Sequence, residues 1–105
     1  MINIQKMMQQ AQQVQFMMQE LQEKLKDIEV NGEAGGGLVK VLMTCDGRIK
    51  SIDIDPSATE DKETMEDLVA AAVNNATEAK EERVQNETAT IMEDMGLPAD
   101  AKLPF

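Results

Sequence analysis

The sequence predicts an α+β domain with the order α-β-β-β-α: a long N-terminal helix, a three-stranded antiparallel meander and a long C-terminal helix. Three observations carry this. Residues 2–27 contain no Gly or Pro and repeat apolar side chains at heptad spacing. Residues 28–55 divide into three strand-like runs separated by glycine-containing turns. After Asp55-Pro56-Ser57 a dense apolar periodicity resumes and continues towards Gly96.

The first helix is expected from Ile2 to about Asp27, in a stretch rich in Gln, Met, Leu, Glu and Lys, all good helix formers. Met7, Ala11, Val14, Met18, Leu21, Leu25 and Ile28 follow each other at alternating steps of four and three. That spacing makes a seam for packing against another helix. Met8, Phe16 and Met17 widen it. The other faces carry Gln9, Gln10, Gln12, Gln13, Gln15, Gln19 and Gln22. Gln keeps a helix soluble, and it can also donate to phosphates and base edges.

Strands are expected at Ile28–Glu33, Leu38–Cys45 and Arg48–Ile54. Asp46-Gly47 is a two-residue hairpin signal of type I′, with positive φ at both positions. The register that follows sets Cys45 opposite Arg48, Met43 opposite Lys50, Val41 opposite Ile52 and Val39 opposite Ile54. These form one mostly apolar face. Thr44 with Ile49, Leu42 with Ser51, Lys40 with Asp53 and Leu38 with Asp55 form the other. Leu38, Leu42 and Ile49 leave this second face partly apolar. One helix layer cannot cover both faces, so a second subunit is expected on part of the sheet.

Four glycines lie between Gly32 and Gly37. A phosphate-cradling loop would need a helix start after them. Here a strand follows, so the segment reads as a hairpin connection. Its surplus glycines suit the close approach of another backbone, as at a subunit interface. Gly35, Gly36, Leu38, Leu42 and Ile49 are the candidate dimer contacts.

The second helix is expected to begin at a cap-like Ser57-Ala-Thr-Glu60 or Thr64-Met-Glu-Asp67 and to run to about Asp94. Met65, Leu68, Val69, Ala72, Val73, Ala76 and Ala79 make its first half a buried one. Beyond Lys80 the apolar positions thin to Val84, Ile91 and Met92, which reads as a mostly polar arm. Gly96-Leu97-Pro98 ends it. The tail that follows is expected to be mobile apart from whatever Phe105 packs against. At 105 residues the chain makes a single domain: a helical arm over residues 1–27, a sheet and dimerisation region over 28–55, a second helix over 58–95 and a tail over 96–105.

Composition narrows function. With two Phe, no Trp, no Tyr and nine Met, the core must be small and adaptable. There is no His, so the commonest general base is missing, and the single Cys45 has no activating partner. Cys45 reads as a small apolar residue of the sheet. Asp53 and Asp55 are too few for a specific cation site. Glu81, Glu82 and Glu87 read as a solvated helix face. No enzyme, metal or other cofactor is expected. The lone cysteine, with no signal-like segment, points to a reducing cytoplasm. No apolar run is long enough to span a bilayer. The formal charge is −10, of which residues 58–105 carry −8. A surface of that sign repels nucleic acid at long range.

The segment VNGEAGGGLVKV (Val30–Val41) resembles the V-x-G-x-x-G-x-G-x-V-x-V segment of the YbaB/EbfC family of bacterial nucleoid-associated proteins. IDIDPS and MEDLVAAAVNNA are similar to the family's following strand end and helix, MMQQAQQVQ to its Gln-rich first helix, and GLPADAKLPF to its ending. The resemblance covers nearly the whole chain. It implies a cytoplasmic, nucleoid-associated homodimer joined through its sheet region, with protruding helical arms. It implies binding to double-stranded DNA with limited sequence preference, and roles in nucleoid organisation and gene regulation. No cofactor, membrane or small-molecule substrate is implied. On the arms, Lys6, Gln9, Gln13, Lys24, Lys80 and Arg83 are the candidate DNA contacts. So few cations allow only about 2–5 phosphate contacts per dimer, hence weak and salt-sensitive binding. The alternative is a dimeric adaptor whose acidic arms grip a basic protein.

Overall fold

The computed structural model describes residues 3–96 and has the expected order. Helix α1 spans Ile4–Leu25, strand β1 Glu29–Ala34, β2 Val39–Thr44, β3 Ile49–Ile54, and helix α2 Lys62–Asp94, with a 3₁₀ turn at Pro56–Glu60 before α2. The sheet is an antiparallel meander in the order β1-β2-β3. The molecule is long and thin, 69 × 21 × 18 Å. The expected tail contacts, Phe105 included, lie outside the described residues.

The helix starts are set by acidic or amide side chains. Asn3 caps α1, its side chain accepting from the Lys6 N–H at 3.2 Å. Asp61 caps α2, accepting from the Glu63 N–H at 3.2 Å and the Thr64 hydroxyl at 2.8 Å. Neither Ser57 nor Thr64 is the cap that the sequence pattern suggested. Ser57 is instead held by Asp55, which caps the 3₁₀ turn and accepts from the Ser57 N–H and hydroxyl at 2.9 and 2.7 Å. At the far end Gly96, with φ +73°, closes α2, its N–H donating to the Glu93 carbonyl at 3.0 Å.

The first half of α2 lies over β1 and β2. Val39, Val41 and Met43 of β2 bury against Ala72 and Ala76, flanked by Val30, Ala34, Ile54, Leu68, Val69 and Val73. Asn75 ties the helix to the strand end, donating to the Glu33 carbonyl at 2.7 Å. Gly32 makes this packing possible. A Cβ there would fall 2.3 Å from the Ala72 carbonyl oxygen and the Ala76 nitrogen. The close backbone approach at Gly32 is thus within one chain, and Gly32 belongs to β1 and not to the loop.

The second half of α2 pairs with α1. Met18, Leu21, Leu25 and Cys45 form a second buried cluster, packed by Val14, Ile28, Val30, Val84 and Ile91. Met92, in the half read as mostly polar, is also buried. The predicted seam is therefore filled only in its C-terminal half. Ile4, Met7, Met8 and Phe16 remain exposed.

The β2–β3 turn departs from the sequence expectation. Among its residues only Gly47 takes a positive φ, +93°, so the turn is not type I′. The Thr44 N–H donates to the Arg48 carbonyl at 2.8 Å and the Gly47 N–H to the Thr44 carbonyl at 2.9 Å. Cys45, Asp46 and Gly47 thus form a three-residue loop. Thr44 pairs with Arg48 instead of Ile49, and Cys45 has no β3 residue opposite; its N–H donates to the Ile28 carbonyl at 2.8 Å on the β1 side. A bulge at Leu42/Met43 absorbs the extra step, so Met43 pairs with Ile49 and not with Lys50. The inner pairs Val39–Ile54, Lys40–Asp53, Val41–Ile52 and Leu42–Ser51 are as expected. By register Ile49 therefore joins the side of Met43, not that of Leu42.

Candidate nucleic-acid interface

The candidate contacts fall into two groups along the helical arm. Lys6, Gln9 and Gln13 lie on the exposed first half of α1. Gln9, Gln12, Gln13 and Phe16 border a shallow groove of about 350 Å³. Lys24 lies in the last turn of α1, 18 residues on, which is about 27 Å of helix.

Lys24 and Arg83 meet at one carboxylate. Glu87 accepts from the Lys24 Nζ at 3.2 Å through Oε2 and from the Arg83 Nε at 3.1 Å through Oε1. Its side chain is 19% exposed, against 61% for Lys24 and 49% for Arg83. Bonds from Lys24 and then Arg83 hold the Glu87 carboxyl below its ordinary range. Glu87 is thus a clasp between α1 and α2 and not a solvated face residue. Its i, i+4 spacing from Arg83 was visible in the sequence; the pairing across to Lys24 needed the fold. Glu81 and Glu82 are exposed as expected.

Lys80, one turn back on α2, reaches the β2–β3 turn: its Nζ lies 3.9 Å from where a Gly47 Cβ would stand. Beside that turn a cleft of about 400 Å³ is lined by Lys26, Thr44, Asp46, Arg48, Ile49 and Lys50. Lys26, Arg48 and Lys50 were not among the sequence candidates. Arg48 and Lys50 alternate across the start of β3, whereas Lys26 comes from the end of α1 and joins them only through the fold. The Thr44 hydroxyl bonds the Asp46 carboxylate and holds its pKa below the ordinary value. Burial pushes the Cys45 thiol up, opposing thiolate formation.

Of the candidate dimer contacts, Gly35 and Gly36 occupy the β1–β2 turn with φ +67° and +68°. Leu38 and Leu42 are half-buried, and Ile49 is 45% exposed. Ile52 on the same edge strand is 43% exposed, because α2 lies mainly over β1 and β2 and leaves most of β3 uncovered. Among the described residues, no helix is long and apolar enough to cross a membrane.

The chain is similar to an uncharacterized protein from Helicobacter pylori of known crystal structure, with a TM-score of 0.75 and 27% identity over 88% of this chain and 99% of that one. A sequence model of one family matches residues 1–95, which takes in both helices, the whole sheet and every candidate contact named above. By that match, and by its α-β-β-β-α order, the chain belongs to the YbaB/EbfC DNA-binding family.

Proposed function

We propose that this chain binds double-stranded DNA as a homodimer in the nucleoid, with weak sequence preference, and so contributes to nucleoid organisation and gene regulation. The observation that carries this is the family match over residues 1–95. The two-helix arm supports it, with Lys6, Gln9 and Gln13 along its outer part and Lys24, Lys80 and Arg83 nearer the sheet. The second copy covers the apolar surface that α2 leaves open: Ile49 and Ile52 at the β3 edge, and Leu38 and Leu42 on the other side of the sheet, with Gly35 and Gly36 in the adjoining β1–β2 turn. Non-covalent contacts of this kind need no cofactor and no catalytic group.

The test is fluorescence anisotropy of a labelled duplex at about 20 and about 150 mM salt. With about 2–5 phosphates engaged, affinity falls about forty-fold to ten-thousand-fold between them. No binding at either salt by a folded protein refutes the proposal. Replacing Ile49 by Asp gives a monomer by sedimentation; an unchanged dimer removes Ile49 from the interface.

Glu87 favours a second reading. By occupying Lys24 and Arg83 it leaves an arm on which exposed carboxylates predominate, as an adaptor for a basic protein requires. A pull-down from nuclease-treated lysate that retains no basic protein counts against it.

A further inference from the structure

Four of the chain's ten cations, Lys26, Arg48, Lys50 and Lys80, gather around one turn. Lys80 approaches Gly47 from α2, and Arg83 follows one turn on. Lys24 shares Glu87 with Arg83. On the other side of the turn Lys26, Arg48 and Lys50 line the 400 Å³ cleft. These residues come from the end of α1, the β2–β3 turn, β3 and the middle of α2. Only the fold brings them together.

The carboxylates set against them are Glu23, Glu29, Glu87 and Asp46. The cleft's own lining carries three cations against the one carboxylate of Asp46, in a chain of net −10, while Glu81 and Glu82 stand beside Lys80 on α2. Lys26–Glu23 and Lys50–Glu29 are exposed pairs at 3.3 and 3.1 Å, of a kind that contributes little and yields readily to a competing anion. Among the described residues, Arg48 and Lys80 have no carboxylate within salt-bridge distance. A guanidinium on a turn can take two oxygens of one phosphate.

We infer that the β2–β3 turn, with Arg48 at its centre and Lys26, Lys50 and Lys80 around it, is a docking face for the phosphate backbone of DNA at the root of the arm, beyond the contacts along its length. This rests on the DNA-binding reading and deepens it. Ile49, proposed above to meet a second copy, borders the cleft. Dimerisation then sets two such faces near one another and doubles the charge a duplex meets.

The experiment compares the intact chain with Arg48→Gln/Lys50→Gln, Arg48→Glu/Lys80→Glu and Lys40→Glu/Lys62→Glu, using a labelled duplex at about 20 mM salt. The last variant makes the same change in net charge as the second, at sites remote from the turn. Circular dichroism and sedimentation confirm that each variant is folded and assembled as the parent. The inference expects the Arg48/Lys80 reversal to lose at least about ten-fold in affinity and the neutral Arg48/Lys50 pair to flatten the salt slope by about 2 per engaged subunit. It expects the remote reversal to lose less than about three-fold. Equal losses for the two reversals overturn it, because they report net charge alone. So does a Gln pair that keeps the parental slope. Absence of binding by the intact chain overturns the DNA reading itself, whereas intact binding with unaffected turn variants overturns only the docking face.

Discussion

Replacing Gly32 by Ala tests the packing of α2 on the sheet. Gly32 has no positive φ, so the backbone accepts alanine; the obstacle is steric. The new Cβ would stand 2.3 Å from the Ala72 oxygen and the Ala76 nitrogen, and 2.7 Å from the Ala76 Cα. Ordinary contact begins at 3.4 Å, so helix and strand must separate by roughly 1 Å. Both partners are backbone, and no rotamer change relieves the clash. A gap of that size also forfeits a quarter to a half of the dispersion between Ala72, Ala76 and the valines beneath them. The cost falls at the upper end for overpacking, about 3 kcal/mol, and lowers Tm by about 10–25 °C. Gly36→Ala is the control. It carries φ +68° but has nothing within 4 Å of its Cβ, so only left-handed strain remains, about 1 kcal/mol. Thermal unfolding at one fixed protein concentration reads both. A Gly32→Ala Tm within about 3 °C of the parent, or a larger loss at Gly36, would refute the close-approach argument.

Glu87→Gln removes the charge of the clasp. Two partly exposed ion pairs are lost, for about 1 kcal/mol together, while Lys24 and Arg83 become available to phosphate. The protein then unfolds at lower urea yet binds DNA with a steeper salt slope; a weaker slope contradicts this. Because the folded-state pKa of Glu87 is depressed from its ordinary 4.5, its stabilisation is present above that value and is lost as pH falls through the folded pKa. Urea midpoints of the parent therefore fall more steeply below about pH 4.5 than those of Glu87→Gln, and parallel curves would rule Glu87 out. Asp61→Ala deletes the α2 cap and costs about 1 kcal/mol in chemical denaturation; no loss would show that the 3₁₀ turn holds the helix start alone. In hydrogen exchange, amides of Met18–Leu25 outlast those of Met7–Ala11, since only the former half of α1 packs on α2; equal protection in the isolated monomer would contradict that division.

The element order was legible because two strong periodicities flank a run of β-branched residues and glycines. The inner sheet register was legible too, since Val39, Val41, Ile52 and Ile54 alternate as a half-buried pair must. The turn was not. Asp46-Gly47 fits a two-residue hairpin, but the Thr44 hydroxyl bonds both the Asp46 carboxylate and the Arg48 N–H, the latter at 3.2 Å, and the loop widens to three residues. One step of register then had to be absorbed, and the bulge falls where Lys50 can stay in solvent. Gly32 lies inside the expected strand Ile28–Glu33 yet also counts among the loop glycines, although Val30, Gly32 and Ala34 alternate as one face of a strand. Of the arm contacts, the sequence supplied the residues but not their partners: Glu87 lies 63 positions from Lys24. Arg48 and Lys50 are close in sequence, but Lys26 and Lys80 reach them only through the fold.

A net charge of −10 does not by itself decide whether a polyanion binds. What matters is which charges lie within a screening length of the contact, about 8 Å at physiological ionic strength. Glu60, Asp61, Glu63, Glu66 and Asp67 crowd the start of α2, where the helix dipole favours them. From Asp67 to Lys80 is about 20 Å of helix, more than two screening lengths. Those five charges scarcely act on a phosphate held at the β2–β3 turn, whereas Glu81 and Glu82 remain close enough to limit it. At about 10 mM salt the screening length grows to about 30 Å, and the distant carboxylates come into range. Lowering salt therefore strengthens the contacts at the turn and at the same time lengthens the reach of the repulsion. The plot of log affinity against log salt should bend over at low salt instead of continuing along the straight line of counterion release. Neutralising Glu63 and Glu66 together to Gln should restore the straight line while leaving affinity near 150 mM salt almost unchanged. A parental plot that stays linear down to about 10 mM would mean that the acidic end of α2 lies too far from the bound duplex to matter at any salt.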